Sequence, residues 1–133
     1  MENLFMQEHE RWLEIVDRDL KSAKLLLKGE VFSTAVYHCQ QAAEKALKAY
    51  LAFKNHKITK THDLTKLVES CSQFDIKFET LYSDAEHLKP FATKFRYSTE
   101  FDIPDSISYY KKYFKSSVSF FRNLYILLFA GKF

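Results

Sequence analysis

Residues that break helices are scarce in this chain, and this scarcity limits the folds that it can adopt. The 133 residues include two glycines, Gly29 and Gly131, and two prolines, Pro90 and Pro104. Tight turns depend on such residues, so their scarcity argues against a sheet-rich fold and for long helices. Between the breakers, apolar residues recur at steps of three and four, as on one face of a helix. The sequence therefore predicts an all-α fold, and its length suits one domain over residues 1–133.

Five helical segments can be assigned from this periodicity. Their predicted bounds are about Glu8–Lys28, Phe32–Lys54, His62–Ser72, Phe78–Tyr97 and Asp102–Ala130. Gly29 is predicted to end the first helix in a left-handed conformation, and Thr61 to cap the third. Pro90 is predicted to interrupt the fourth. Amphipathic helices with no strand pattern and no linker between them predict an antiparallel helical bundle.

Charge, cysteine content and hydropathy indicate a soluble protein. The net charge of +3 permits an anionic partner without requiring one. Cys39 and Cys71 are isolated in the sequence, which predicts two buried, reduced thiols. The acidic start of the chain does not have the pattern of a secretion signal. The run Leu124–Ala130 is much shorter than the ~20 residues of a membrane span. We therefore expect a cytoplasmic protein with no membrane contact.

Several kinds of catalytic or metal site are excluded by composition. With two glycines, the chain cannot form a P-loop, a GxGxxG turn or a GxSxG elbow. It contains no HExxH and no Glu-x-x-His pair of the kind that a di-iron bundle requires. Asp84 and His87 form one isolated pair, which is more typical of a solvated helix surface. The sequence predicts no metal and no cofactor.

Three short motifs occur together in this chain. The first is the run YHCQQAAEKALKA, Tyr37–Ala49, in the second helix. The second is THDL, Thr61–Leu64, and the third is the pair Arg96-Tyr97 ahead of the last helix. Together they resemble the HEPN family, the higher eukaryotes and prokaryotes nucleotide-binding domain. The resemblance extends over about Arg11 to Ala130. It implies an up-and-down antiparallel bundle of four to five helices, usually a homodimer. Such a module binds nucleotide or RNA or is paired with a minimal nucleotidyltransferase.

HEPN proteins that cleave RNA carry an arginine followed, after four to six residues, by a histidine. In this chain no histidine follows Arg11, Arg18, Arg96 or Arg122 at that spacing. Without such an imidazole, no general acid or base is evident beside the scissile phosphate. The expected function is therefore a non-catalytic binding module. One alternative is a divergent, toxin-type ribonuclease that uses His62 with Arg96, and another is a purely structural helical adaptor.

Polar residues from three parts of the chain form the predicted ligand site. His38, Gln41, Lys45 and Lys48 share one face of the second helix because they are three or four residues apart. The full predicted set for a nucleotide or phosphate is His38, Gln41, Lys45, Lys48, His62, Arg96 and Tyr97. Lysine and arginine would bind phosphate, glutamine a base or ribose edge, and the tyrosine a base face.

Each part of this predicted site has a simpler interpretation. Lys45 and Lys48 are also consistent with a solvated helix face on which Glu44 pairs with Lys48. His62 and Asp63 are also typical of a capping motif. Arg96 would serve equally as a tie between helices. The aromatic stripe of the last helix predicts either core or a dimer interface.

Overall fold

The protein is described here by a computed structural model that covers residues 6–58, 60–92 and 107–129. Five α-helices lie within these ranges. They are α1 (Glu8–Lys28), α2 (Phe32–Phe53), α3 (Leu64–Ser72), α4 (Tyr82–Leu88) and α5 (Ile107–Phe129), with a 3₁₀ helix, Ile76–Leu81, before α4. No β-strand occurs among the described residues. The predicted all-α bundle is confirmed.

Helices α1 and α2 form an antiparallel hairpin. At one end, the ring of His9 lies 5.2 Å from the ring of Phe53. Further along, His38 Nδ1 lies 2.8 Å from Asp19 Oδ1. Contacts between early residues of α1 and late residues of α2 are those expected for helices that run in opposite directions. The small side chain of Ala42, fully buried in α2, allows close approach of neighbouring helices.

The turn between α1 and α2 differs from the prediction in one residue. Gly29 has φ −82°, whereas Glu30 has φ 62° and is the left-handed residue. The N–H of Val31 donates to the carbonyl of Leu26 at 2.9 Å, which closes the end of α1. The helix ends at Lys28 as predicted, and only the left-handed residue lies one position later.

Helix α2 supplies the centre of the hydrophobic core. Val36, Leu47 and Leu51 are fully buried there. Several other large members of the same cluster come from later elements of the chain: Leu64, Leu67, Phe78, Leu81, Leu88, Phe120 and Leu124. Aromatic residues of α5 are thus part of the core, one of the two roles predicted for them.

Helix α3 begins at Leu64, and its N-cap is Asp63 rather than Thr61. Asp63 Oδ1 accepts hydrogen bonds from the backbone N–H groups of Thr65 (3.0 Å) and Lys66 (3.4 Å). A carboxylate also interacts favourably with the positive end of the helix dipole, which a threonine hydroxyl cannot do. The Thr61 hydroxyl instead accepts from the N–H of Asp63 at 3.1 Å. The prediction of Thr61 as the cap was wrong.

The predicted fourth helix is divided. Ile76–Leu81 forms a 3₁₀ helix, and α4 covers only Tyr82–Leu88. Phe78 and Leu81 are both buried, and a spacing of three residues aligns them on one side of a 3₁₀ helix. Pro90 lies in a turn just after α4, as its predicted breaking role requires. The end of the predicted segment, near Tyr97, lies outside the described residues.

Both cysteines are free and buried, as predicted. Burial raises the pKa of the Cys71 thiol to about 12, so this sulfur has little thiolate character near neutral pH. None of the helices in the described ranges combines the length and the hydropathy that a membrane span requires.

Candidate functional site

A buried carboxylate, that of Glu44 in α2, lies at the centre of the candidate site. Glu44 has no exposed surface. Its Oε2 atom lies 3.2 Å from Lys45 Nζ, 3.0 Å from Lys48 Nζ and 3.1 Å from His62 Nδ1. Three nitrogen groups from two parts of the chain therefore meet at one oxygen.

Two glutamine side chains extend this arrangement along α2. Gln40 Nε2 donates to Glu44 Oε1 at 3.4 Å, and Gln41 Nε2 donates to Gln40 Oε1 at 2.7 Å. Lys45 Nζ donates to Gln41 Oε1 at 3.0 Å, which closes the circuit. We call these six residues, Gln40, Gln41, Glu44, Lys45, Lys48 and His62, the Glu44 network. Connected hydrogen bonds of this kind fix side-chain positions in a low-dielectric interior.

The network depends on the helical geometry of α2 and on the N-cap of α3. Gln41, Lys45 and Lys48 lie three or four residues apart, so their side chains project from adjoining turns of α2. His62 lies in the loop ahead of α3 and reaches Glu44 from outside that helix. The adjacent Asp63 fixes this loop, because it caps α3 and pairs with Lys89 Nζ at 3.2 Å. The THDL motif thus positions an imidazole as well as starting a helix.

Electrostatics keep Glu44 ionised despite its burial. Desolvation by burial raises the pKa of the Glu44 carboxyl. The charge of Lys45 and hydrogen bonds from Lys48 and His62 lower it by more, so the pKa lies below its ordinary value of 4.5. At neutral pH one carboxylate faces two ammonium groups. The network therefore carries an excess of positive charge.

Exposure decides which members of the network a ligand can reach. The side chain of Lys48 is 7 % exposed and that of Lys45 is 17 % exposed, whereas that of His62 is 53 % exposed. His62 directs Nδ1 toward Glu44, so Nε2 is the ring nitrogen available to a ligand. Lys45 and His62 form the accessible edge, and Lys48 lies deeper.

An aromatic ring of α1 adjoins the buried end of the network. Lys48 Nζ lies 5.6 Å from the centroid of the Trp12 ring, within the range of a cation–π interaction. Trp12 is the only tryptophan in the chain and is partly exposed. The periodicity of α1 indicated that Trp12 belongs to the apolar stripe and gave no sign of cations beside it.

The structure brings together four of the seven residues predicted for the site. Gln41, Lys45, Lys48 and His62 are all members of the Glu44 network. His38 lies instead against Asp19 of α1, with its Nδ1 atom 2.8 Å from Asp19 Oδ1.

The other two predicted residues, Arg96 and Tyr97, lie outside the described ranges. The simpler interpretation of a solvated lysine face is wrong for Lys48, whose pair with Glu44 is buried. Sequence reasoning missed the central role of Glu44, which it treated as a surface partner. The one available signal was an acidic residue within an alanine-rich central helix.

No group of three or more His, Cys, Asp or Glu side chains that could hold a metal ion is found in residues 6–58, 60–92 and 107–129.

The family model for the HEPN domain matches residues 9–127, which is most of the chain. The chain belongs to the HEPN family. Neither a curated protein nor a solved structure matches it significantly. In this HEPN chain, the Glu44 network lies on the same helix that carries the YHCQQAAEKALKA run.

Proposed function

We propose that this HEPN protein is a non-catalytic, homodimeric module that binds the phosphate of a nucleotide or of RNA at the Glu44 network. One observation carries the proposal. The buried Glu44 carboxylate holds Lys45, Lys48 and His62 together, and it leaves the Lys45 ammonium and the His62 imidazole at an accessible edge.

The chemistry of this edge suits an oxyanion. Lysine ammonium groups are point charges that bind phosphate. When both ring nitrogens carry a proton, His62 donates Nδ1–H to Glu44 and adds a directional hydrogen bond from Nε2–H to the ligand. Hydrogen bonds with an ionised partner are stronger than neutral ones. Because Glu44 and Gln41 already fix Lys45, little side-chain freedom is lost when a ligand binds. An anion would also balance the excess positive charge of the network.

The ring of Trp12 supports a nucleotide over a simple phosphate ion. It lies beside Lys48, so a ligand with phosphate at the accessible edge could place a base near the indole. Stacking of a base on an aromatic side chain tolerates any base, which fits a binding module without sequence preference. In this proposal Gln41 and Lys48 lie deeper than the accessible edge, on the side of the network away from the ligand. His38 connects α1 to α2 through its contact with Asp19.

The single tryptophan gives a direct test. We expect ATP, AMP and a short single-stranded RNA to quench the fluorescence of Trp12 saturably, and the affinity to fall as salt rises. The matched control is Lys21→Met, which removes an exposed lysine of α1 that pairs only with Asp17 in the described region. This variant should bind as the parent protein does. Unchanged fluorescence and an unchanged Tm at millimolar concentrations of every ligand would contradict the proposal.

A divergent ribonuclease is the second candidate, and the orientation of His62 is the observation that favours it. A buried carboxylate holds Nδ1 at 3.1 Å, which leaves Nε2 toward solvent in the arrangement used by general bases. Cleavage of single-stranded RNA by the purified protein, lost in His62→Gln, would decide for this candidate. RNA that remains intact through long incubation would decide against it.

The homodimer in the proposal is supported by apolar side chains left exposed on α5. Val118, Tyr125 and Ile126 are all more than half exposed, and we call these three residues the α5 band. Such a patch is typical of a protein interface. Membership of the HEPN family further supports a minimal nucleotidyltransferase as a partner. In a purely structural adaptor, the same band would bind another protein.

We expect a dimer in sedimentation at micromolar concentration and a monomer after Val118→Asp, because a carboxylate buried at an interface loses its hydration. Leu20→Asp is the comparison, since Leu20 is an exposed leucine on α1. If Leu20→Asp dissociates the dimer and Val118→Asp does not, the interface lies on α1 and the assignment to α5 is wrong.

A further inference from the structure

A cavity lies apart from the Glu44 network and shares no residue with it. Its volume is about 520 Å³, and it opens between the start of α1, the end of α2 and the end of α5. Pockets of roughly 300–1,000 Å³ are typical of sites for small organic molecules. Six apolar side chains supply much of its wall: Leu13, Ala46, Ala49, Phe53, Leu127 and Leu128.

Two ammonium groups lie at this apolar cavity. Lys54 and Lys77 both line it, and neither has a carboxylate within 4.0 Å among the described residues. Lys54 Nζ lies over the rings of Tyr50 and Phe53, 5.7 and 5.8 Å from their centroids. The cation is thus held against the aromatic wall of the cavity, where a ligand would meet it.

The other polar residues of the lining offset the charge of the two lysines only in part. Asp75 caps the 3₁₀ helix, because its Oδ1 accepts the backbone N–H of Lys77 at 3.0 Å. His9 packs its ring edge-on against Phe53. The polar residues of the lining are therefore two lysines, one carboxylate that also serves as a cap, one imidazole and the hydroxyl of Tyr50. Two lysines against one carboxylate leave a net positive charge beside an apolar wall, which favours a ligand with one anionic end.

We propose that this cavity binds an amphipathic monocarboxylate, with an apolar body of the size of a medium-chain fatty acid. The body would displace water from the leucine and alanine wall, a change that favours binding. The carboxylate would lie toward Lys54 and Lys77, which discriminate against a cationic head group of equal length. This site is independent of the proposed phosphate site and does not rest on it.

Decanoate is a suitable probe, with decyltrimethylammonium as the cation of matched chain length. We expect 1 mM decanoate to raise the Tm by about 2 °C or more, as a ligand of the folded state does. It should also shift the amide resonances of Ala46, Ala49 and Leu127 in the NMR spectrum. The double variant Lys54→Gln/Lys77→Gln replaces two exposed lysines. It should weaken the binding of decanoate at least about 10-fold, because two charge-assisted contacts are lost.

A substitution in the cavity wall tests whether decanoate binds in this cavity. Leu13→Asp puts a carboxylate on the cavity wall and should abolish the decanoate shifts, because it repels the ligand charge and interrupts the apolar surface. Leu25→Asp makes the same change at an exposed leucine of α1 outside the cavity, so binding should persist.

Several results would overturn the proposal. These are the absence of decanoate binding, equal binding of decyltrimethylammonium, and decanoate binding that neither Leu13→Asp nor the double lysine variant weakens. If decanoate does not bind and Leu13→Asp converts a dimer to a monomer, the cavity belongs to an interface between copies of the chain. Quenching of Trp12 by ATP is unaffected in every case, so this proposal and the phosphate proposal fail separately.

Discussion

Replacing Glu44 by glutamine is expected to lower the free energy of unfolding by about 3–5 kcal/mol, the usual cost of removing one partner from a buried ion pair. The cost arises from the two lysine ammonium groups that lose their carboxylate partner. Lys48 keeps a charged ammonium with little access to water, and Lys45 loses its only carboxylate within 4.0 Å in the described region. A neutral amide can still accept one hydrogen bond from each lysine, but it cannot balance their charge.

Urea unfolding at neutral pH measures this change. Glu14→Gln is the matched control, because Glu14 pairs with Arg18 at 3.9 Å on an exposed face and should contribute about 0.5 kcal/mol or less. The double variant Glu44→Gln/Lys48→Met should regain part of the lost stability, since the unpaired buried ammonium is then gone. If the double variant is less stable than Glu44→Gln by the full cost of Lys48→Met alone, the two groups do not interact as described.

The same variant has a predictable pH dependence. The pKa of Glu44 is lower in the folded protein than its ordinary value, so its contribution to stability is complete above pH 4.5. This contribution is lost as the pH falls through the folded-state pKa, because the unfolded chain takes up the proton first. The stability gap between the parent protein and Glu44→Gln should therefore narrow below pH 4.5. A gap that stays constant down to the acid transition would contradict the assigned shift.

The helices could be predicted from the sequence because their signals are local. The predicted and observed bounds of α1 agree at Glu8–Lys28, because the apolar stripe defines the length of the helix and the turn at Gly29 ends it. The third helix shows where local rules compete. Thr61 and Asp63 are both good caps, and the choice of Asp63 depends on its pair with Lys89, far away in the chain. The 3₁₀ helix before α4 likewise depends on burial of Phe78 and Leu81 against the other helices.

The sequence predicted several residues of the candidate site but not the buried glutamate at its centre. Residue spacing placed Gln41, Lys45 and Lys48 on one face, and this much follows from helical geometry. The burial of Glu44 could not be deduced, because a glutamate in a helix is usually exposed and its 0 % exposure depends on how α1 and α3 pack on α2. Likewise, His62 lies eighteen residues from Glu44, and only the tertiary fold joins them.

The largest functional effect is expected from the accessible edge of the Glu44 network. The double variant Lys45→Met/His62→Gln should weaken nucleotide binding at least about 30-fold, because each charge-assisted hydrogen bond contributes roughly 1.5–3 kcal/mol. Trp12 fluorescence measures the affinity, and circular dichroism at the same pH checks that the helices persist. Lys48 remains beside Glu44 in this variant, so the buried carboxylate keeps one cation. A double variant that binds as tightly as the Lys21→Met control would place the phosphate elsewhere.

Salt dependence then separates the phosphate contribution from that of the base. Loss of Lys45 and His62 should flatten the dependence of log Kd on log salt concentration, because fewer cations meet the phosphate of an RNA ligand. Trp12→Phe, followed by calorimetry, should weaken binding through poorer stacking and leave that slope unchanged. If Trp12→Phe alters the slope instead, the ring acts by placing Lys48 rather than by contacting a base, since Lys48 Nζ lies 5.6 Å from its centroid.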